Sequence, residues 1–235
     1  MAIITSAGNY AHRTSGIVDN AGPYTVMAWV YRSSLSGVQW VWGTAAGSDD
    51  FNGAAWEGDY VGFYGDRFSI GCNDGETADY TNPTNSAGVW YHICIKRVST
   101  TNLRGLLNGD DVVDRSTDVS GRTANGFESL GQFNNNAFDG RIAAFKAWSA
   151  ALSDEEIAAE MSVGPPVRTS NLIIYTPINA ANLNDSLISV TGSNWTANGT
   201  PTVEDGPPID WGGGGGGNAL LLQLMQHGHL NGGLL

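Results

Sequence analysis

FDGRIAAFKAWSAALSDEEIAAEM, residues Phe138 to Met161, is the stretch whose reading decides the fold. Phe138-Asp139-Gly140 is a turn signal with glycine as its permissive residue. Arg141 to Trp148 alternates roughly between larger and smaller side chains, as a strand packed on both faces does. After Ala150-Ala151-Leu152 comes a complete helix start. Ser153 stands at the N-cap and Glu156 three residues on, so each side chain can satisfy the other's free backbone N–H. Leu152 and Ile157 occupy the positions of a hydrophobic staple. Asp154 and Glu155 place negative charge at the positive end of the helix dipole. Gly164 and Pro165-Pro166 stop the helix, which the pattern places over about 153–162.

The rest of the chain reads as strands. Tyr24 to Tyr31 sets Tyr24, Val26, Ala28 and Val30 against Thr25, Met27, Trp29 and Tyr31. Val38 to Trp42 follows, with Trp40 and Trp42 expected on one face. Tyr60–Tyr64 and Arg67–Cys72 flank Gly65-Asp66, a type II′ hairpin signal. Val89 to Arg97 alternates Trp90, His92 and Cys94 with Tyr91, Ile93 and Ile95. Asn108-Gly109 joins Leu103–Leu107 to Val112-Val113 as a second hairpin. Met1 to Val18 reads as one strand and a loop, and Asn171 to Ile178 as a strand that returns after the helix.

These phrases, in this order, resemble the concanavalin A-like jelly roll in its laminin G-like branch, of the kind found on phage virion proteins. The carriers are Tyr24–Tyr31, the Trp90-Tyr91-His92 strand, the Asn108-Gly109 hairpin, Phe138 to Ile157, and Leu172, Tyr175, Pro177, Asp185 and Ser186. The resemblance implies an all-β sandwich with one short helix, closing over residues 1–210 as a single domain. Residues 211–217 then read as a tether, Trp211 and six glycines. Residues 218–235 form an apolar tail in which Leu220, Leu221, Leu224 and Met225 share one helical face.

Composition narrows the partners. With 32 glycines in 235 residues, many short strands and tight turns are expected. A net charge of −12 argues against nucleic acid and anionic membranes. No apolar run is long enough to span a bilayer, and no signal peptide is read ahead of Ile3-Ile4, so folding in a cytoplasm is expected. Cys72 and Cys94 could meet across neighbouring strands, but a reducing compartment argues for free thiols.

The candidate sites are few. Glu57-Gly58-Asp59 begins the carboxylate pattern of a retaining glycosidase, but the further glutamate is missing, so no catalytic residue is expected. His92 reads as a hydrogen-bonded core histidine, and His227 and His229 lack a third metal ligand. No cofactor is expected. Calcium is the ion the resemblance implies, and Asp49-Asp50, Asp74/Glu76/Asp79 and Asp110-Asp111 are its candidate clusters, without fixed spacing. Trp56, Tyr60 and Tyr80 lie in or beside polar loops and could stack on sugar rings. Trp29, Trp40, Trp90 and Trp148 lie in strands and read as core. The tail reads as an anchor that docks on another subunit. The leading expectation is therefore a non-catalytic virion module, assembled in a host cytoplasm, held by its tail to other virion or assembly subunits and facing a host glycan, with self-association into a homo-oligomer left open. A surface or extracellular carbohydrate-binding adhesin and a glucanase-type hydrolase are the alternatives.

Overall fold

The computed structural model describes residues 1–13, 22–43, 60–71, 77–81, 86–115, 127–133, 136–178 and 194–211. They form a two-layer antiparallel sandwich with a small hairpin and one helix. The first sheet holds β10 (Asp110–Arg115), β9 (Asn102–Leu107), β8 (Trp90–Ser99), β3 (Tyr24–Arg32), β14 (Gly140–Trp148), β1 (Ala2–Thr5) and β17 (Thr202–Glu204), in that order, with β15 (Leu172–Thr176) also paired to β14. The second holds β16 (Thr196–Asn198), β2 (Tyr10–His12), β11 (Ser129–Leu130), β4 (Val38–Gly43), β5 (Tyr60–Tyr64), β6 (Arg67–Gly71) and β7 (Thr77–Thr81). β12 (Gln132–Phe133) pairs with β13 (Asn136–Ala137) as a separate hairpin.

The main core lies between the two sheets. Tyr24, Val26, Ala28 and Val30 of β3 and Ile93 and Ile95 of β8 meet Val41, Trp42, Val61, Phe63, Phe68 and Ile70 of the opposite sheet. The alternation in Tyr24–Tyr31 thus resolves into an inward set and an outward set. The two turn signals hold as well. Gly65 has φ +61°, and Asn108 and Gly109 have φ +53° and +89°, the left-handed backbone that tight hairpins need.

Two expectations are corrected. Where one strand was expected in Met1 to Val18, the described residues 1–13 hold two, β1 and β2, and the turn closed by the Ser6–Asn9 bridge carries the chain from one sheet to the other. Trp40 and Trp42 do not share a face. A bulge between them sets Trp40 opposite Gly62 but Trp42 opposite Val61, so Trp42 enters the main core and Trp40 does not.

A second bulge decides what covers the first sheet. In β14 the register against β3 slips between Ala143 and Lys146, and Ala144 takes φ +50°. Ile142, Phe145 and Ala147 therefore all reach the main core, while Lys146 and Trp148 face outward. Onto that outer face folds α1 (Asp154–Met161), with both arms of the capping box formed. Leu152 and Ile157 pack on Met27, Cys94, Leu106 and Trp148. Lys146 Nζ donates to Glu160 Oε2 at 2.8 Å, to the carbonyls of Glu160 and Val163 at 2.9 Å, and to that of Pro165 at 3.3 Å. Both side chains of the Lys146–Glu160 pair are buried. Burial draws the ammonium's pKa down and Glu160 raises it again.

This pair generates a stability prediction. Lys146→Met leaves a buried Glu160 without its cation and should cost about 3–5 kcal/mol in urea unfolding. The double variant Lys146→Met/Glu160→Met should recover most of that loss. A single variant as stable as the parent would contradict a stabilising role for the Lys146–Glu160 pair.

Candidate functional site

Of the residues expected to stack on sugar, the structure corrects one. Tyr60 is fully buried in β5, its ring 4.6 Å from Trp40 and 5.3 Å from Phe133. The β12–β13 hairpin lays Phe133 over Gly43, where any Cβ would come within 2.5 Å of the ring. Tyr60 is thus part of a packed aromatic cluster. Tyr80 lies in β7, in register with Phe68. Trp56, Glu57, Asp59 and the tail residues Leu220, Leu221, Leu224 and Met225 lie outside the described residues. So do Cys72, His227, His229, Asp49, Asp50, Asp74 and Glu76.

Asp111 is paired with Arg104. Among the described residues no three His, Cys, Asp or Glu side chains group as metal ligands. Cys94 is a free, buried thiol whose pKa burial pushes up. His92 is buried as expected, but its imidazole is not hydrogen-bonded as expected: Nδ1 has no partner. Its ring meets the Trp29 indole edge-on at 5.5 Å, and burial, then Lys146, lowers its pKa to about 3.

Besides Tyr64 of β5 in the second sheet, which is 54 % exposed, accessible aromatic residues lie on the outer face of the first sheet. Register aligns Trp90 with Tyr31, Tyr31 with Arg141, and Arg141 with Ile4 across four adjacent strands. All four side chains are half-buried. The Trp90 and Tyr31 rings are 5.6 Å apart, and the Arg141 guanidinium lies 4.6 Å over Tyr31. Arg141 also pairs with Glu204 of β17 at 2.5 Å. The Tyr31 hydroxyl and the Trp90 indole N–H have no partner among the described residues.

The helix sets the limit of this row. One step along the strands, Trp29 donates its indole N–H to the Met161 carbonyl at the end of α1, at 3.1 Å. Trp211 packs beside that end, on Gly164, where a Cβ would meet its ring at 2.3 Å. Gly164 N–H donates to the Asp210 carbonyl at 2.6 Å. Trp211, read with the glycines as part of a tether, is therefore packed on the folded body. Trp40 and Trp148 are buried as expected, whereas Trp29 and Trp90, also read as core, are half-exposed. Strand alternation had put Trp29 and Tyr31 on one face. It held no sign that the helix would stop short of covering them.

The opposite end of the sandwich carries Glu128, Arg13 and Trp195. Arg13 lies 5.4 Å over the Trp195 ring, whose N–H donates to Thr176 Oγ1 at 2.8 Å. Glu128 is 5 % exposed, and burial raises its pKa to about 7.

The laminin G model of the concanavalin A-like lectin/glucanases superfamily matches residues 5–158, well over half the chain. The chain belongs to that superfamily. Solved structures share the superfamily fold at low identity. A protein from Bacteroides ovatus described as carbohydrate binding aligns with a TM-score of 0.66 at 18% identity, over 87% of this chain and 60% of its own. This chain therefore spans less than two thirds of that protein. The heptameric SAP-like pentraxin of Limulus polyphemus aligns with a TM-score of 0.55 at 13% identity, over 86% of this chain and 94% of its own. Domains LG4-5 of the mouse laminin alpha1 chain align with a TM-score of 0.50 at 13% identity, over 65% and 44%. No curated protein sequence matches this superfamily member significantly.

Glu128 sets a pH dependence. Its folded pKa lies above the ordinary 4.5, so its contribution is fully present below about pH 4.5 and is lost as pH rises through about 7. Glu128→Gln should raise the melting temperature at pH 8 and leave it nearly unchanged at pH 4. Equal shifts at both pH values would rule out this assignment.

Proposed function

We propose that this chain is a non-catalytic saccharide-binding module, displayed on a larger assembly through its C-terminal tail. The observation that carries the binding role is the Trp90–Tyr31–Arg141 row. Sugar rings present C–H faces that stack on aromatic rings, and hydroxyls that need hydrogen-bond partners. The row offers both, with two half-buried rings and unengaged N–H and O–H groups held on a rigid sheet. Tyr31 is flanked by Trp90 and Arg141, which limits the side-chain freedom it has to lose on binding. The superfamily supports the reading by analogy, as does the carbohydrate-binding description of the Bacteroides ovatus protein.

The assembly role rests on the tail. Trp211, the residue before Gly212–Gly217 in the sequence, packs beside the end of α1. A glycine tether leads to the apolar residues 218–235, which gain by burial against a partner. A phage particle is the assembly we favour, with the saccharide face turned toward a host surface. A cell-surface adhesin uses the same binding face and differs only in what holds the tail.

Two experiments test these roles separately. On a glycan array, Trp90→Ala and Tyr31→Ala should each weaken binding by about 1–2 kcal/mol with little change in melting temperature. Tyr60→Ala should unfold the protein more easily and give no selective loss. Deleting residues 218–235 should leave glycan binding intact and abolish incorporation into particles. Unchanged incorporation would reject the anchor, and unchanged binding by Trp90→Ala and Tyr31→Ala would reject the saccharide face.

A further inference from the structure

The polar groups on the exposed row are almost all donors. The Trp90 indole donates only, and the Arg141 guanidinium carries five N–H groups and accepts nothing. The Tyr31 hydroxyl can do either. The Arg141 guanidinium lies 4.6 Å over the Tyr31 ring, with 28 % of its side chain exposed, and its acidic partner is Glu204 at 2.5 Å. Glu204 lies on β17, the edge strand of the sheet, and is itself 47 % exposed. A carboxylate therefore already sits on the guanidinium, at the border of the row, in a pair that solvent can reach.

We propose that the row binds saccharides carrying a carboxylate, with Trp90 and Tyr31 stacking on the sugar ring and Arg141 taking the acid group. This rests on the saccharide-binding reading above and names its ligand class. The Arg141–Glu204 contact marks the seat. A planar guanidinium can match a planar carboxylate through paired N–H donors, and within the chain itself one Arg141 nitrogen already meets a carboxylate oxygen of Glu204. Because that pair is exposed, it is worth little, and an incoming acid can share or replace it. The charge balance sharpens the point. At −12 the protein repels anions at long range, and exposed Asp139 lies two residues from Arg141. A preference for acidic sugars must then come from the local donor set, and it must vanish with Arg141.

The test is a glycan array of matched sets, in which the same backbone is presented neutral, carboxylated and sulfated. The full-length chain should favour the carboxylated member roughly tenfold over the neutral one, as one charge-assisted hydrogen bond implies. Glu204→Gln should increase that preference. Arg141→Gln should abolish or reverse it while the neutral member still binds through Tyr31 and Trp90. Arg141→Lys keeps the charge without the fork and should hold only part of the preference, which separates loss of contact from loss of fold. Equal binding of neutral and carboxylated members overturns this inference and leaves the saccharide reading standing. A preference for the sulfated member also overturns it. Failure to bind any glycan overturns both.

Discussion

The Lys146 ammonium sits among four oxygen acceptors at the end of α1: the Glu160 carboxylate, the Glu160 carbonyl, which the helix terminus leaves without an intrahelical partner, and the Val163 and Pro165 carbonyls of the segment that follows. Charge and geometry agree there, since a cation is favoured at the negative end of a helix dipole. The buried Glu160 side chain completes the seat, and its other oxygen accepts the Arg168 backbone N–H at 2.6 Å. Trp148 donates its indole N–H to the Arg168 carbonyl at 2.9 Å, which fastens the segment after the helix to the same strand. A short helix with few apolar side chains is thereby fixed on one part of a sheet. Burial of Leu152 and Ile157 alone would position it less strictly.

Where the helix is fixed decides which outward side chains become core. Met27, Cys94, Leu106 and Trp148 lie beneath it and are dry. Trp29 lies at its edge, bonded to the last helical carbonyl. Tyr31, Trp90 and Arg141 lie beyond it and keep contact with solvent. The accessible aromatic row is thus set by the packing of the helix that follows β14, Asp154–Met161, and not by anything in the aromatic residues themselves. The same logic on the other sheet gives the opposite result. There the β12–β13 hairpin brings Phe133 onto Trp40 and Tyr60, and the rings are buried.

Much of this was legible in the residues. The capping box, the staple, the two hairpin turns and the alternation of Tyr24–Tyr31 all appear where local chemistry places them. What escaped was parity and cover. Arg141 and Lys146 both face outward although they are five residues apart, which a regular strand forbids. The Ala144 bulge supplies the missing step, and alanine gives no hint that it will take φ +50°. The Trp40–Trp42 pair failed for the same reason. Tyr60 and Trp90 were assigned the reverse of their exposures because periodicity reports which residues share a face, not what lies on that face.

The central claim is that the uncovered row on the helix-bearing sheet receives the ligand. Its most direct test is a titration of indole N–H resonances with a glycan selected on the array. Trp90 should shift first and furthest, with Trp29 following weakly. Trp148 and Trp195, whose N–H groups are bonded inside the protein, should stay in place. A saturable titration that leaves Trp90 unmoved while another indole shifts would contradict the account.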